Sequence, residues 1–205
     1  WAPHLQQDAR GADYVVVDLE TTGSVIGVDE IMEVGLVRLA GEREVARYTT
    51  RVRADRGIPP WVSRLTGISA ADLADAPRFA DLAPRLVELL SGAIFVAHDI
   101  RFDLPFLRWV LLEHGHDFPC VTGLCTLQLS RALWPDLPSH SLGELAVSLD
   151  LAHDKPHRAG DDALAAAGIL QRALRLAGSL GLGTIGDLME LEPGSLRTAR
   201  RTAQS

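Results

Sequence analysis

Residues 14–23, near the N terminus, constrain the fold of this chain more than any other segment. They read YVVVDLETTG, and three valines in a row after a tyrosine are typical of a buried β-strand. Side chains two positions apart lie on the same face of a strand, so a strand through this run places Asp18 beside Glu20. Two such carboxylates repel each other and lose hydration unless a cation lies between them. The alternative is a strand that ends at Val17, with both acids solvated in a turn.

Two later segments each combine an acid with a histidine. The apolar run at residues 93–97 is followed by His98 and Asp103, and His157 and Asp162 precede an alanine- and leucine-rich stretch that predicts a helix. A fold can bring strand ends and helix starts together. Taken singly, each acid is more simply a helix cap or a surface residue. Taken with Asp18 and Glu20, these acids favour a site for magnesium or manganese, which prefer carboxylate oxygens, rather than zinc.

In this order, the motifs resemble those of the DEDDh 3′–5′ exonucleases. They are DLETTG at 18–23, HDIRFD at 98–103 and HRAGDD at 157–162, joined by IPPW at 58–61, LTGI at 65–68 and LPSHSL at 137–142. The likeness spans about residues 13–177. Within the family, the chain is most similar to the proofreading epsilon subunit of bacterial DNA polymerase III.

The order of predicted elements indicates an α/β protein. Strands are predicted at 31–39 and 44–52, and helices at 79–90, 103–114, 126–133 and 159–177, with a further short helix from a capping box at Ser141 and Glu144. Strands followed by alternating helices and strands fit a mixed sheet with helices on both faces. The resemblance implies a ribonuclease-H-like fold whose five-stranded sheet has one antiparallel strand. We expect residues 1–12 to be an N-terminal tail, 13–177 the exonuclease domain and 178–205 a linker or tail.

The resemblance also implies which residues bind metal. Two Mg²⁺ or Mn²⁺ ions about 4 Å apart can activate the attacking water and neutralise the leaving oxygen of a phosphodiester. Asp18 is expected to bridge the two ions, and Glu20, Asp103 and Asp162 to complete the two sites. Asp161 competes with Asp162 for the fourth position, but family spacing selects Asp162, and Asp161 lies about 100° away around a helix.

His157 is expected to act as the general base. Its ordinary pKa of about 6.5 is close to working pH, and such catalysis typically contributes about 10² to 10⁴ in rate. The alternative is a loop histidine that hydrogen-bonds a neighbour.

Substrate contacts are expected from five further residues. Thr21 and Thr22 offer donors near the terminal 3′-OH, and Leu65 is similar to the apolar residue that wedges against the last nucleotide. Phe102 is a candidate to stack on a base, and His98 to contact a phosphate. Core packing for Leu65 and Phe102, and helix capping for His98, are the alternatives.

Asp99 departs from the family pattern, where asparagine is common. An ionised carboxylate repels phosphate and cannot donate a hydrogen bond, so the strand is expected to bind differently here. Helix capping is the alternative role for Asp99.

Composition limits the classes of function. The 205 residues suit one domain, and a net charge of −7 argues against a broad basic surface for nucleic acid, although not against a local groove. No apolar run approaches the roughly 20 residues that span a bilayer, and residues 1–12 lack a signal pattern. Cys120 and Cys125 are read as reduced thiols, so a cytoplasmic location is expected.

Three functions therefore compete. The first is a metal-dependent 3′–5′ exonuclease acting on single-stranded or frayed DNA ends in proofreading or repair, with a DNA polymerase subunit as its expected partner. The second is an RNA 3′-trimming nuclease similar to ribonuclease T or oligoribonuclease. The third, a scaffold for a polymerase, is disfavoured because a scaffold does not need clustered carboxylates.

Overall fold

A single mixed β-sheet forms the centre of the computed structural model, which describes residues 5–120 and 122–191. Its strands are β1 (Asp13–Thr21), β2 (Ile31–Ala40), β3 (Arg43–Arg51), β4 (Ile94–Ala97) and β5 (Gly123–Cys125). They lie in the order β3-β2-β1-β4-β5. β2 is antiparallel to β1 and β3, whereas β4 is parallel to β1 and β5. The predicted five-stranded sheet with one antiparallel strand is confirmed.

Helices cover both faces of this sheet. They are α1 (Pro60–Thr66), α2 (Ala70–Leu73), α3 (Phe79–Leu90), α4 (Ile100–Glu113), α5 (Thr126–Leu133), α6 (Leu142–Ser148), α7 (Ala159–Ser179) and α8 (Ile185–Met189). The limits predicted for α3 and α5 agree with the structure. α7 continues two residues beyond its predicted end, and α4 begins three residues before its predicted start.

The alternation of side chains along β1 divides the core into two layers. Tyr14 and Val16 pack on the face covered by α5 and α7, and Val15 and Val17 pack on the face covered by α3 and α4. These residues are fully buried, as period-two alternation in a central strand requires.

β1 continues through Thr21, so a strand that ends at Val17 is wrong. The extra residues are held because β2 pairs with β1 along its whole length, with Glu20 opposite Glu33. Even-numbered side chains of β1, such as Tyr14 and Val16, face α7, so the continued strand places Asp18 and Glu20 on the same face.

The short helix predicted to begin at Ser141 is confirmed, whereas the side-chain caps considered for Ser141 and Asp99 do not form. Ser141 is the residue before α6, but its side chain makes no capping hydrogen bond. Asp99 precedes α4 without capping it, since it has a left-handed backbone with φ of 68° and its carboxylate binds Arg101 instead. Capping boxes do form at Ser69 with Asp72 and at Thr184 with Asp187.

The described parts of the two predicted tails pack against each other. The N–H of Ala9 donates to the carbonyl of Gly183 at 2.8 Å, and that of Ile185 donates to the carbonyl of Gln7 at 3.0 Å. Ile185 and Leu188 enter the core layer of α7. The segment expected to be a linker or tail thus contains a short helix, α8, that packs against the N-terminal segment, and residues 192–205 lie outside the described range.

Within the described ranges, no helix has both the length and the apolar character needed to cross a membrane.

Candidate active site

The α7 side of β1 presents the two acids of the first motif. Asp18 and Glu20 are each partly exposed at the end of the strand, where the flanking residues Leu19 and Thr21 are buried. Opposite Asp18 in β2 is Gly35, and a Cβ there would lie 1.9 Å from the carbonyl oxygen of Ala159. The missing side chain allows the start of α7 to approach the two carboxylates directly.

Asp103 reaches the site from the first turn of α4. Its side chain is 3 % exposed, and its Oδ1 accepts a hydrogen bond of 3.0 Å from the backbone N–H of Leu19. Leu19 lies between Asp18 and Glu20 in the chain, so this bond holds Asp103 next to both acids of the first motif. Because Asp103 is in the first turn of a helix, its negative charge also complements the helix dipole.

Asp162 and His157 come from the start of α7. The Oδ2 of Asp162 accepts a hydrogen bond of 3.2 Å from the backbone N–H of His157, which has a left-handed φ of 62°. Oxygen atoms of Glu20 and Asp162 and a ring nitrogen of His157 all lie within 4.8 Å of one another. Asp162 is buried, whereas Asp161 is partly exposed beside Arg47 and Arg158.

Burial is the main cause that raises the pKa values of the acids in this cluster, and their mutual repulsion adds to it. Burial and the nearby charges of Asp103, Asp162, Glu20 and Glu33 raise the pKa of Asp18 well above its usual value. Burial is also the main cause that raises the pKa of Asp103, although the bond from Leu19 opposes it. The pKa of Glu20 rises to about 7 through burial and the charges of Asp162 and Glu33, against the opposing charge of Arg158.

The donor set suits a divalent cation. Burial and neighbouring charges raise the pKa values of Asp18, Glu20 and Asp103, so their ionised forms are unfavourable without a compensating positive charge, which a bound cation would supply. Oxygen donors without a cysteine match a hard ion such as Mg²⁺ or Mn²⁺. The ligand atoms of Glu20, Asp162 and His157 lie close enough together to hold such an ion, and Asp18 and Asp103 stay predicted ligands.

The two threonines of the first motif shape the β1–β2 loop. The Thr22 hydroxyl donates to Oδ1 of Asp29 at 3.1 Å and accepts the Glu30 N–H at 3.0 Å, while the Thr21 hydroxyl donates to the Gly23 carbonyl. The Thr22 N–H donates to the carbonyl of Glu30 at 2.9 Å. These bonds favour a structural role for Thr22, and a substrate contact from either threonine stays a prediction.

The other predicted substrate contacts differ in how accessible they are. Leu65 is 49 % exposed on α1, as a wedge against a nucleotide requires. Phe102 packs against the core on the α4 side and its ring lies 5.7 Å from that of Phe106, which favours the packing alternative. Both ring nitrogens of His98 have protein partners, Thr126 and the carbonyl of His140, and burial lowers its pKa to about 4. His98 therefore does not cap α4 and is neutral at physiological pH.

Asp99 does not present a free negative charge. Its two carboxylate oxygens accept hydrogen bonds of 2.7 and 2.8 Å from the guanidinium of Arg101. That hydrogen-bonded pair lowers the pKa of Asp99. The repulsion of phosphate expected from Asp99 is thus offset by an adjacent cation.

Sequence analysis missed three residues beside the site. Glu33 is 1 % exposed in β2 and pairs with Arg158, and His153 lies with its Nε2 2.5 Å from Oδ1 of Asp162. A charged residue inside the apolar run of residues 31–39 is a signal that could have identified Glu33. Nothing in the local pattern distinguishes His153 from a loop histidine.

Comparison with known proteins agrees with this geometry. A family model described as Exonuclease (RNase_T) matches residues 15–170. The chain is 34% identical over 178 residues to a protein named 3′-5′ exonuclease DinG from Staphylococcus haemolyticus, covering 87% of this chain and 20% of that one. It is 33% identical over 176 residues to a DNA polymerase III PolC-type from Caldanaerobacter subterraneus, covering 86% and 12%. The chain thus spans about a fifth or less of the length of these curated relatives.

Solved structures share the fold. Exonuclease X in complex with 5′ overhanging duplex DNA is 28% identical, with a TM-score of 0.66 over 80% of this chain and 93% of that chain. Escherichia coli exonuclease I with a dT13 oligonucleotide, at 19% identity and a TM-score of 0.74 over 83% and 42% of the two chains, supports the fold alone. The family match and the relatives together show that this chain belongs to the DEDDh-type exonuclease family.

Proposed function

We propose that this domain removes nucleotides one at a time from the 3′ end of DNA, with two bound Mg²⁺ or Mn²⁺ ions. The observation that carries the proposal is the convergence of acids from three distant segments at the C-terminal end of β1. Asp103 hydrogen-bonds the backbone between Asp18 and Glu20, and Asp162 with His157 faces Glu20. In an unliganded fold such a cluster is unfavourable, so its presence indicates a cation-dependent role.

His157 is the general base in this proposal. It is exposed at the rim of the acid cluster, where water and a substrate phosphate have access to its ring. A ring nitrogen takes a proton from a water that attacks the phosphorus of the last phosphodiester, the bond from that phosphorus to the 3′ oxygen of the preceding nucleotide breaks, and the leaving 3′ oxygen takes up a proton from solvent. The products are a nucleoside 5′-monophosphate and a strand with a new 3′-OH. Bound divalent cations would lower the pKa of the attacking water and neutralise charge on the leaving oxygen.

DNA is the substrate we favour, in proofreading or repair. The support is similarity: exonuclease X was solved with duplex DNA that has a 5′ overhang, and one relative is named a DNA polymerase. A polymerase-associated partner and an epsilon-like proofreading role follow from the same likeness. The cytoplasm, where the two free thiols stay reduced, is the proposed location.

A paired digestion assay tests the substrate class. Single-stranded DNA and RNA oligomers of equal length and sequence carry a 5′ label and are incubated with the protein and Mn²⁺ or with a chelator. We expect a ladder shortened from the 3′ end on DNA, and none with chelator. Faster trimming of RNA would support the ribonuclease T-like alternative, and chelator-resistant cleavage would contradict the metal dependence.

Asp18→Ala is the matching variant. Because Asp18 is central to the cluster, we expect turnover to fall by at least about 10³-fold while the domain stays folded by circular dichroism. The neighbouring-acid control, Asp161→Asn, is expected to retain activity. Nuclease activity in the Asp18→Ala protein would contradict the proposed two-metal mechanism.

A further inference from the structure

Glu33 is a buried charge that the proposed chemistry does not use. It is the third residue of β2, lies directly opposite Glu20, and is 1 % exposed. Its charge adds to those that raise the pKa values of Asp18 and Glu20. A buried carboxylate beside other acids is unfavourable unless it is fully hydrogen-bonded to compensating groups.

The compensating groups are the two residues at the start of α7. The Arg158 guanidinium donates to both Glu33 oxygens, with Nη2 to Oε1 at 2.6 Å and Nε to Oε2 at 3.1 Å. The backbone N–H of Ala159 donates to Oε2 at 2.9 Å. Arg158 precedes α7 without a side-chain cap of its own. Glu33 thus satisfies an otherwise orphaned N–H of the helix and places a negative charge at its positive end.

Close contacts with β2 and β3 hold the same turn. A Cβ on Gly35 would lie 1.9 Å from the Ala159 carbonyl oxygen, and a Cβ on Gly160 would lie 2.5 Å from Oγ1 of Thr49. The strands and the first turn of α7 are therefore in direct contact at two points. These contacts do not involve the Glu33–Arg158 ion pair, and they hold the same segment, residues 158–160, in place.

His157 is the residue immediately before this fixed segment. Its left-handed backbone and the bond from its N–H to Asp162 set the direction of its ring, and the Asp162 N–H in turn donates to the Arg158 carbonyl at 2.9 Å. We propose that Glu33 and Arg158 are positioning residues, which clamp the start of α7 to β2 so that His157 faces the acid cluster. The proposal rests on the proposed function of His157 as the base.

The test combines two variants with a His157→Ala background. Glu33→Gln keeps the shape of the side chain and removes its charge, and Arg158→Lys keeps a charge and removes the bidentate fork. In the otherwise native protein, we expect each to lower turnover by roughly tenfold or more, because misplacing a catalytic group is costly. In the His157→Ala protein, each should change turnover less than about twofold, since an effect that acts through His157 disappears with it.

Arg175→Lys is the matched control. Arg175 lies on the same helix and its Nη1 forms an ion pair with Glu42, at the β2–β3 turn, at 2.6 Å. It is far along α7 from His157, so its replacement should leave turnover within about twofold in both backgrounds. An equal loss from Glu33→Gln with and without His157, or no loss in either, would overturn the proposal. If Glu33→Gln does not fold, the Arg158→Lys pair decides by the same criterion.

A measurement without turnover separates this proposal from the proposed function. Amide hydrogen exchange of the metal-free protein should show protection at Ala159 and Asp162 falling by at least tenfold in Glu33→Gln, with the C-terminal half of α7 unchanged. Unchanged protection at both amides would contradict the clamp even in an active enzyme. If the native protein has no nuclease activity but Glu33→Gln still loses protection at these amides, the exonuclease proposal alone would be contradicted.

Discussion

Neighbouring residues at this site have different surroundings because side-chain direction changes at every position. Asp162 is buried among acids, while Asp161, one position earlier, lies beside Arg47 and Arg158. Glu20 points to the α7 face, and the adjacent Leu19 packs in the opposite core layer. The chemistry of each acid is therefore set by the direction of its side chain, which a shift of one residue reverses in a strand and turns by about 100° in a helix.

The contrast between Asp161 and Asp162 can be measured. Asp162→Asn should reduce turnover by at least about 10²-fold and weaken Mn²⁺ binding, because it removes a charged oxygen from the cluster. Asp161→Asn should leave both within about threefold. Nuclease assays with Mn²⁺ titration by electron paramagnetic resonance provide the comparison, and the reverse pattern would assign the fourth ligand to Asp161.

His157 and His153 offer a second contrast at this scale. His157→Ala should lower turnover by about 10² to 10⁴, the range of general-base catalysis, with Mn²⁺ affinity nearly unchanged. His153 contacts Asp162 from a less exposed position, so His153→Ala should lower turnover by less than about tenfold. A larger loss for His153→Ala would transfer the role of base to His153. Equal losses of turnover and metal affinity in His157→Ala would indicate a structural role.

At the scale of elements, the contact between β2 and α7 decides the site. In β2, Glu33 accepts a hydrogen bond from the backbone N–H of Ala159, and Gly35, which has no side chain, leaves room for the first turn of α7. β1 then brings Asp18 and Glu20 to the same face, and α4 brings Asp103 from the other side of the strand. If α7 were displaced along β2, the acid cluster would no longer form, although every residue of the cluster would still be present in the chain.

Gly35→Ala tests this contact. The added methyl group must displace the backbone at Ala159, so we expect the free energy of unfolding to fall by about 1–3 kcal/mol and nuclease activity to fall with it. Gly143→Ala is the control, since its Cβ would have no neighbour closer than 3.9 Å and it lies in α6. That change should be neutral or stabilising by about 0.5–1 kcal/mol. Urea denaturation gives both values, and a Gly35→Ala protein as stable as the native one would contradict the close approach.

For the whole molecule, the acid cluster connects stability to pH and metal. The pKa values of Asp18, Asp103 and Glu20 are higher in the folded state than in the unfolded state. Their contribution to the free energy of unfolding is therefore fully present below the unfolded pKa and is lost as pH rises through the folded pKa. For Glu20 that loss extends from its usual pKa of 4.5 up to its folded pKa of about 7. His98 acts in the opposite direction below pH 6.5, because its folded pKa is lowered to about 4.

Between pH 6.5 and 8, the carboxylates should therefore control stability. With a chelator present, the melting temperature should fall as pH rises across this window. With saturating Mn²⁺ it should not fall, because the cation binds the deprotonated carboxylates. Differential scanning calorimetry measures both series, and Glu20→Gln should flatten the chelator series. A melting temperature independent of pH in chelator, or one that rises with pH, would contradict the raised pKa values.

Much of this protein follows from sequence alone. The β1 motif, the limits of α3 and α5, and the α/β sheet are local or periodic features, and residues 13–177 contain the motifs in family order. Apolar periodicity reports which face of an element is buried, and turn residues report where it ends. That information is sufficient for strands and helices, and the family pattern supplies the candidate acids.

Only the tertiary structure decided what surrounds those acids. The carboxylate of Asp99 pairs with Arg101 rather than capping α4, α8 packs against the N-terminal segment, and Glu33 binds the start of α7. Each depends on groups that are distant in the chain, or on a backbone conformation that no period records. Local sequence determines which residues can ionise, whereas the close packing of β2 against α7 determines which charges meet, because hydrogen bonds and repulsion depend on distances of a few ångströms.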